Sequence, residues 1–187
     1  MLRALVDSKL TDKDTVHSYL DVYEELFKDR KDITDLLEIG IDKGASIKLW
    51  ADYFTSAIIH GMDIHDHMEI RDIDRTIIEI CDAYDKQNIP KKKFDIIIDD
   101  GPHSFMSVIK CLFYYLPLLK DDGVLVIEDV QIISCIEVFK LIIDEKFPEL
   151  SECCYVKDLR EIKGRYDDIM FIVDKRKLKE NNLEISI

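Results

Sequence analysis

The stretch FDIIIDDGPH, residues 94–103, decides the fold of this chain. Phe94 and three consecutive isoleucines supply its apolar part, and two aspartates, Asp99 and Asp100, follow directly. A nearly all-apolar run of this length is typical of a strand that is buried on both faces, as in a parallel sheet. Because open α/β sheets bind ligands beyond the carboxyl ends of their strands, the two aspartates are predicted to stand at a ligand-binding edge.

Apolar runs on both sides of this stretch predict the other strands. The runs are residues 36–39, 57–64, 76–81 and 124–127. Strand and helix patterns alternate five times, which with right-handed crossovers predicts an α/β fold with a doubly wound, mainly parallel sheet. Two later runs, 154–156 and 169–173, have no helical pattern between them. They are expected to complete a seven-stranded sheet with an antiparallel edge strand.

An amphipathic pattern precedes the predicted sheet. Its apolar residues are Val16, Tyr19, Leu20, Tyr23, Leu26 and Phe27. Their spacing predicts a helix over about 14–29, with Asp14 or Thr15 as its N-cap. At 187 residues the chain is expected to form a single domain, with a core over about 33–174 and a polar tail over 175–187.

The charge of the chain disfavours two classes of partner. Its 39 acidic and 26 basic side chains give a formal net charge of −13. Such a surface repels phosphate backbones and anionic lipids, so neither nucleic acid nor a membrane is expected as a partner. No apolar run approaches the ~18 residues of a membrane span. The five cysteines include no CxxC pair, which is typical of a reducing compartment, and we expect a cytoplasmic protein.

A turn containing glycines follows the first predicted strand. Glu38, Gly40 and Gly44 form an ExGxxxG pattern, in which glycines let the backbone approach a ligand and leave helix amides free to bind it. This spacing differs from the GxGxxG pattern of dinucleotide-binding turns. Asp63 ends the second strand and Asp82 follows the third, where carboxylates can accept hydrogen bonds from ribose hydroxyls and an adenine amino group. The alternatives are a turn without a ligand and aspartates that cap helices.

Acidic residues also follow the fourth and fifth predicted strands. Asp99 and Asp100 stand after one strand, Glu128 and Asp129 after the other, and His103 lies close to the first pair in sequence. The alternatives are again local: the acids would cap helices or complement helix dipoles, and His103 would be an exposed loop residue. Convergence of these positions on one edge of one sheet favours a shared site.

Five separated blocks of sequence resemble one family. In chain order they are TDKDTVHSYLDVYEELF, LLEIGIDKGASIKLWADYF, GMDI, FDIIIDDGPH and LKDDGVLVIEDV, all within about residues 11–130. They resemble the class I S-adenosylmethionine-dependent methyltransferases, and more narrowly the macrolide-sugar O-methyltransferases of the mycinamicin and demethylmacrocin type. The likeness extends more loosely to the cephalosporin-hydroxylase-like group.

The resemblance implies transfer of a methyl group from S-adenosylmethionine to a hydroxyl group of a sugar or glycan acceptor. It implies Mg²⁺, or Mn²⁺, bound by Asp100, Glu128 and Asp129, with Asp100 and His103 as the catalytic residues and His103 as the general base. The residues implied for donor binding are Thr11, Lys13, Glu38, Gly40, Gly44, Asp63, Asp82 and Asp99. Among these, Thr11 and Lys13 are expected to contact the carboxylate of the donor.

Two positions depart from the family. Where relatives often have GDQSD after the third strand, this chain has CDAYD at 81–85, and Pro102 stands where serine is usual. These departures leave the adenine contacts and the stiffness of the His103 loop open. A homodimer and a place in a larger glycan-modifying polypeptide are both compatible with the sequence. The alternatives to a sugar O-methyltransferase are a catechol-type O-methyltransferase and a non-catalytic module that binds S-adenosylmethionine.

Overall fold

The computed structural model describes residues 1–69 and 71–178. Its strands are β1 (Asp35–Ile39), β2 (Ile58–Asp63), β3 (Thr76–Ile80), β4 (Phe94–Asp99), β5 (Leu119–Ile127), β6 (Cys154–Asp158) and β7 (Ile169–Asp174). Its α-helices are α1 (Leu20–Phe27), α2 (Ala45–Tyr53), α3 (Phe105–Tyr115), α4 (Cys135–Lys146) and α5 (Arg160–Lys163). The strands form one seven-stranded sheet in the spatial order β3-β2-β1-β4-β5-β7-β6.

The strand that holds the opening stretch lies at the centre of this sheet. β4 pairs in parallel with β1 on one side and with β5 on the other. Asp99 is level with Ile39 of β1 and with Ile127 of β5, so the residues after these three strands meet at one edge. The amide of Glu128 donates to the Asp99 carbonyl at 3.0 Å, which ties the two acidic loops together. The predicted α/β fold with a mainly parallel sheet is confirmed.

Apolar layers cover both faces of the sheet. On the face covered by α1 and α2, the rings of Tyr23, Phe27, Trp50 and Phe54 lie with neighbouring centroids 5.0 to 5.7 Å apart. The other layer contains buried residues of α3 and α4, Phe139 among them. Burial of such a side chain stabilises the fold by about 1.5–3 kcal/mol. The sheet edge that carries the acids is therefore held between two rigid layers.

The first helix begins later than the sequence predicts. The predicted helix over 14–29 starts only at residue 20, and neither Asp14 nor Thr15 is its N-cap. The amide of His17 instead donates to the carbonyl of Asp12 at 2.9 Å and closes a turn before the helix. This turn directs Lys13 and His17 into the protein, where both are buried.

Two predicted crossover helices are absent from the described part of the chain. The connection from β2 to β3 has no α-helix among its described residues, and that from β3 to β4 has only a 3₁₀ turn at Lys86–Asn88. The predicted fivefold alternation is therefore wrong at this end of the sheet. In the part of the chain that the structure describes, no α-helix flanks β3 in sequence, and Ile77 and Ile80 of this edge strand keep 46% and 48% of their surface exposed.

The other end of the sheet differs from prediction in two details. The sequence Asp-Asp-Gly at 121–123 is typical of a turn. These residues instead belong to β5, and a register shift against β4 between Phe94 and Ile96 accommodates them. The one-turn helix α5 stands between β6 and β7, where no helix was expected. The predicted antiparallel pairing at this edge is confirmed, since β7 runs antiparallel to both β5 and β6.

The end of the described chain turns back onto the sheet. The amide of Lys175 donates to the Gly123 carbonyl at 3.0 Å, and Leu178 packs against an apolar layer. The rest of the predicted polar tail, 179–187, lies outside the described residues. All five cysteines are free thiols. Within residues 1–69 and 71–178, no helix has the length and apolar character needed to cross a membrane. That the whole chain forms a single domain stays a prediction.

Candidate active site

A cavity of about 620 Å³ lies at the carboxyl ends of the parallel strands. Gly40, Asp63 and Asp82 line its wall on the side of β1, β2 and β3, and Asp100 and His103 line its wall beside β4. This volume is within the range of about 300–1,000 Å³ that small-molecule sites occupy. Residues predicted from the ends of different strands therefore share one cavity.

Glycine at position 40 allows two loops to meet at the cavity wall. Gly40 has a φ of +81°, and a Cβ atom there would lie 2.0 Å from the carbonyl oxygen of Asp100. The Asp100 amide donates to the Ile39 carbonyl at 2.8 Å, which joins the two loops, and the Gly40 amide donates to the Met62 carbonyl of β2, also at 2.8 Å. Gly44, with a φ of +86°, turns the chain into α2. The glycine pattern is required by this backbone geometry, with or without a ligand.

The two predicted donor-binding aspartates have their orientation fixed by loop amides. Asp63 accepts hydrogen bonds from the Ile41 amide and the His65 amide, each at 2.9 Å. Asp82 accepts one from the Tyr84 amide at 2.8 Å. A carboxylate has about four acceptor positions, so both groups keep capacity for a further donor. Their contacts with a ribose and an adenine stay predictions.

Two other predicted donor-binding acids lie behind the cavity wall. Asp99 is buried, and it accepts hydrogen bonds from the Tyr84 hydroxyl and, at 3.3 Å, from the Gly101 amide. Burial raises the pKa of Asp99, although the Tyr84 hydrogen bond opposes the shift. Glu38 is fully buried, and burial raises its pKa to about 7 against the attraction of Lys13. Both acids support the wall from behind, and their direct contact with a donor stays a prediction.

A buried lysine joins the acids that follow β4 and β5. The Nζ atom of Lys13 lies 2.8 Å from Oδ2 of Asp100 and 2.7 and 2.8 Å from the two carboxylate oxygens of Glu128. It is also 3.6 Å from Glu38, and the Lys13 side chain is only 2% exposed. Burial lowers the pKa of this ammonium, but Asp100, Glu128 and Glu38 together hold the pKa well above its usual value. Lys13 is therefore a charged group at the centre of a cluster of acids.

Asp129 and His103 complete the cluster on its outer side. His103 Nε2 lies 3.7 Å from Oδ1 of Asp100 and 3.5 Å from Oδ2 of Asp129. The other oxygen of Asp129 contacts the Tyr19 hydroxyl and, at 3.1 Å, Nδ1 of His17. Both His103 and Asp129 have positive φ values, +52° and +51°, which turn the two loops toward each other. The outer atoms of three residues therefore face one point at the cavity wall.

The predicted metal ligands are only partly brought together. One ligand atom each from Asp100, His103 and Asp129 lies within 4.8 Å of the others, the one such group within the described ranges. Glu128 instead faces Lys13 and the Tyr23 hydroxyl. Carboxylate oxygens suit a hard divalent cation such as Mg²⁺ or Mn²⁺, and an imidazole suits softer ions such as Zn²⁺. The arrangement fits an ion held by Asp100 and Asp129, while the role of Glu128 as a ligand stays a prediction.

Sequence reasoning missed much of what the first block supplies. Thr11 and Lys13 both line the cavity, but the Lys13 ammonium is engaged by acids instead of being free for a donor carboxylate. The contact of Thr11 with a donor stays a prediction. The resemblance implies a place for Tyr19 at the mouth of the donor site, whereas the helical pattern assigned Tyr23 to the core. The hydroxyls of both tyrosines donate to acids of the site. A single sequence carries no periodic signal for such contacts with distant strands.

The histidine pair after β2 does not extend the site. The rings of His65 and His67 lie 5.2 Å apart between centroids, on an exposed loop. Neither belongs to the group of potential ligand atoms found among the described residues.

Comparison with known proteins finds sequence similarity to O-methyltransferases. No family model matches it. It is 29% identical over 134 residues to the 8-demethyl-8-alpha-L-rhamnosyl tetracenomycin-C 2'-O-methyltransferase of Streptomyces olivaceus, over 65% of this chain and 35% of that protein. It is 30% identical over 141 residues to the demethylmacrocin O-methyltransferase of Streptomyces fradiae, over 68% of this chain and 36% of that protein. The chain thus spans about a third of the length of these relatives.

A solved structure settles the fold. The MycE methyltransferase from the mycinamycin biosynthetic pathway, in complex with Mg and SAH, superposes with a TM-score of 0.73 at 22% identity. The match covers 92% of this chain and 54% of that chain. The protein has the class I methyltransferase fold. The amino-acid sequence of the chain resembles those of macrolide-sugar O-methyltransferases, as the five blocks predict.

Proposed function

We propose that the protein is an S-adenosylmethionine-dependent, divalent-metal-dependent O-methyltransferase that acts on a hydroxyl group of a sugar. The names of its relatives support the reaction, since each is an O-methyltransferase and the tetracenomycin enzyme is named for a rhamnosyl substrate. The chain matches about a third of those proteins, so their activities and substrates come to it as a proposal.

One observation supports the proposal most strongly. Residues suited to bind a nucleoside and residues suited to bind a cation line the same cavity. The Gly40 turn and Asp63 form a wall suited to a nucleoside, where backbone can approach closely and a carboxylate can accept from ribose hydroxyls. Asp100, His103 and Asp129 form the adjoining part of the wall, beside β4 and β5, which is suited to a cation and a hydroxyl. A donor bound beside Gly40 and Asp63 and an acceptor bound beside Asp100 and His103 would meet within the cavity.

The residues that line the cavity beside β4 and β5 have distinct proposed roles. Asp100 and Asp129 would hold the divalent cation, and a cation bound there would lower the pKa of the acceptor hydroxyl. Glu128, the third ligand that the resemblance implies, faces Lys13 and the Tyr23 hydroxyl. His103 takes the hydroxyl proton at Nε2, the atom that faces Asp100 and Asp129. The oxygen then attacks the methyl group of the sulfonium donor in line with the breaking carbon–sulfur bond. Thr11, Asp63 and Asp82, in the part of the cavity proposed to bind the nucleoside, orient the donor.

Substitution of Asp100 tests the proposal. We expect Asp100→Asn to lower turnover by at least about 10²-fold while the dissociation constant for S-adenosylmethionine changes by less than about threefold, because the change removes a cation ligand and leaves the donor wall intact. Asp121→Asn, at an exposed position of β5, is the control and should leave both quantities unchanged. Formation of S-adenosylhomocysteine is measured with rhamnose-containing glycans and with catechols as acceptors, and donor binding is measured by calorimetry.

Two results would contradict separate parts of the proposal. Full activity in excess chelator would rule out the requirement for a divalent cation. Donor binding without S-adenosylhomocysteine formed from any acceptor would indicate a binding module in place of an enzyme. The cytoplasmic location, and the choice between a homodimer and a larger polypeptide, stay predictions from the sequence.

A further inference from the structure

The two oxygens of each outer carboxylate face different neighbours. Asp100 directs Oδ2 to the Lys13 ammonium at 2.8 Å and Oδ1 to His103 at 3.7 Å. Asp129 directs Oδ1 to the Tyr19 hydroxyl and His17, and Oδ2 to His103 at 3.5 Å. Each carboxylate therefore has an inner oxygen that already has a partner and an outer oxygen at the cavity wall.

The inner position is filled by a cation that is held from several sides. Lys13 is 2% exposed and contacts three acids: Asp100, Glu128 and Glu38. Glu128 is itself held by the Tyr23 hydroxyl. Withdrawal of the ammonium would leave fully buried carboxylates without their counter-ion, which proteins rarely tolerate. These ion pairs therefore stabilise the buried position of the Lys13 ammonium.

The acids of the cluster outnumber its one ammonium, so their negative charge can attract a second cation. Three acids, Glu38, Asp100 and Glu128, contact the single ammonium of Lys13, and a fourth, Asp129, lies next to His103 on the outer side of the cluster. The outer oxygens of Asp100 and Asp129 meet beside His103, at the cavity wall, on the far side of Asp100 from Lys13. A divalent ion at this outer point would share the Asp100 carboxylate with the ammonium without displacing it.

Resting on the proposed function, we propose that Lys13 is a fixed inner cation of a two-cation centre. Its ammonium stays between Asp100 and Glu128 when the divalent ion binds at the outer oxygens, and Asp100 bridges the two. Lys13 is then a positioning residue: it neutralises Glu128 and orients Asp100 so that Oδ1 faces the cavity. It takes the place that a second metal ion has in two-metal centres, where carboxylates bridge a pair of cations.

Chemical labelling of amines tests this arrangement on the unaltered protein. The chain is exposed briefly to an acylating reagent with and without Mn²⁺, and modification of each lysine is measured by peptide mass spectrometry. Lys9 lies on the exposed part of the same segment and serves as the internal reference. We expect Lys13 to react at least about tenfold more slowly than Lys9 in both conditions, because a buried ammonium reacts only through local opening. A rise of the Lys13 rate toward that of Lys9 when Mn²⁺ is added would overturn the proposal, since it would mean that the ion displaces the ammonium.

Calorimetric titration with Mn²⁺ supplies a second, independent readout. The unaltered protein should bind one ion per chain, and Lys13→Ala should bind two, because the inner position then becomes available to a metal ion. The matched control is Lys92→Ala, which removes a lysine from the opposite end of the sheet and should still bind one. A folded Lys13→Ala variant that binds one ion with unchanged affinity would overturn the proposal. If the variant does not fold, the labelling result decides. Absence of Mn²⁺ binding to the unaltered protein would refute the metal dependence of the proposed function, whereas ion binding with a reactive Lys13 would refute this inference alone.

Discussion

The two ends of the sheet both collect acidic side chains, but they neutralise them differently. At the amino ends of the strands, Asp35 contacts Lys92, and Asp95 accepts a hydrogen bond from Lys120 at 2.8 Å. Asp95 also accepts from the Asp35 amide at 2.9 Å. At the carboxyl ends, Lys13 is shared among three acids. The amino end has about one lysine for each acid, whereas the carboxyl end has an excess of negative charge.

This difference appears in the acidity of the groups. At the amino end burial is outweighed by hydrogen bonds from lysines, so the pKa of Asp35 falls to about 2 and that of Asp95 is also lowered. At the carboxyl end burial dominates and raises the pKa values of Glu128 and Asp129, despite hydrogen bonds from Lys13 and Tyr19. Acids at a strand end are therefore not by themselves evidence of a site. Buried acids with too few counter-ions are stronger evidence, because they need a further cation.

The largest expected effect comes from removing the lysine of each end in turn. Lys13→Met should lower the free energy of unfolding by about 3–5 kcal/mol, because it leaves buried carboxylates without their counter-ion. Lys92→Met should lower it by less than about 1 kcal/mol, because exposed ion pairs contribute little, and Lys92 keeps 41% of its side chain exposed. Urea denaturation in the presence of a chelator measures both values. Equal losses at the two ends would show that the comparison between them is wrong.

A hydroxyl that donates to a buried acid should have an intermediate effect. Tyr23→Phe removes the hydroxyl that donates to Glu128 and should lower the free energy of unfolding by about 1.5–3 kcal/mol, the usual range for a hydrogen bond to a charged group. Tyr115 is an equally buried tyrosine whose hydroxyl donates to the neutral carbonyl of Ala83 at 2.7 Å. Tyr115→Phe should cost about 1 kcal/mol.

Denaturation curves in the same buffer compare the two tyrosines. A smaller loss for Tyr23→Phe than for Tyr115→Phe would indicate that Lys13 alone satisfies Glu128. In that case the tyrosine would contribute to the apolar layer around Trp50 more than to the acid cluster.

The smallest expected effect is the pH dependence of the amino end. Because the pKa of Asp35 in the folded protein is about 2, below its value in the unfolded chain, its contribution to stability is present at neutral pH. It is lost as the pH falls from about 4 through about 2, and solvent screening limits it to about 1 kcal/mol. Asp35→Asn should therefore be less stable than the unaltered protein at pH 7 and equally stable near pH 2. Thermal unfolding followed by circular dichroism across this range measures the difference. A difference that persists at pH 2 would assign the loss to packing and not to charge.

Periodicity in the sequence predicted the central strands well because their side chains are buried on both faces. The run at 94–99 is flanked by β1 and β5, and Ile96, Ile97 and Ile98 are fully buried. No other local structure buries three consecutive isoleucines so easily, and the position of Asp100 at a ligand-binding edge follows from the strand. The pairing of β4 with β5, on which the shared site depended, could not be derived from periodicity and came from the resemblance.

The first block was harder to predict because two structures satisfy the same pattern. Tyr19 and Tyr23 have helical spacing and are buried, as a helix in the core requires, yet their hydroxyls reach acids of distant strands. Lys13 precedes the helix on a turn whose shape depends on the carbonyl of Asp12, a local hydrogen bond that leaves no periodic signal. Long-range ion pairs of this kind have no signature in a single sequence.

The contact between Lys13 and Glu128 joins residues that are 115 positions apart in the chain, and that between Lys13 and Asp100 spans 87. Contacts of such sequence separation form late in folding, because the cost of closing the loop has to be met before they stabilise anything. During synthesis from the amino terminus, the ammonium of the site is made early and stays in water until β4 and β5 have been made and paired. The acid cluster therefore assembles late in folding. A chain whose synthesis stopped before β5 could form part of the sheet but not the site.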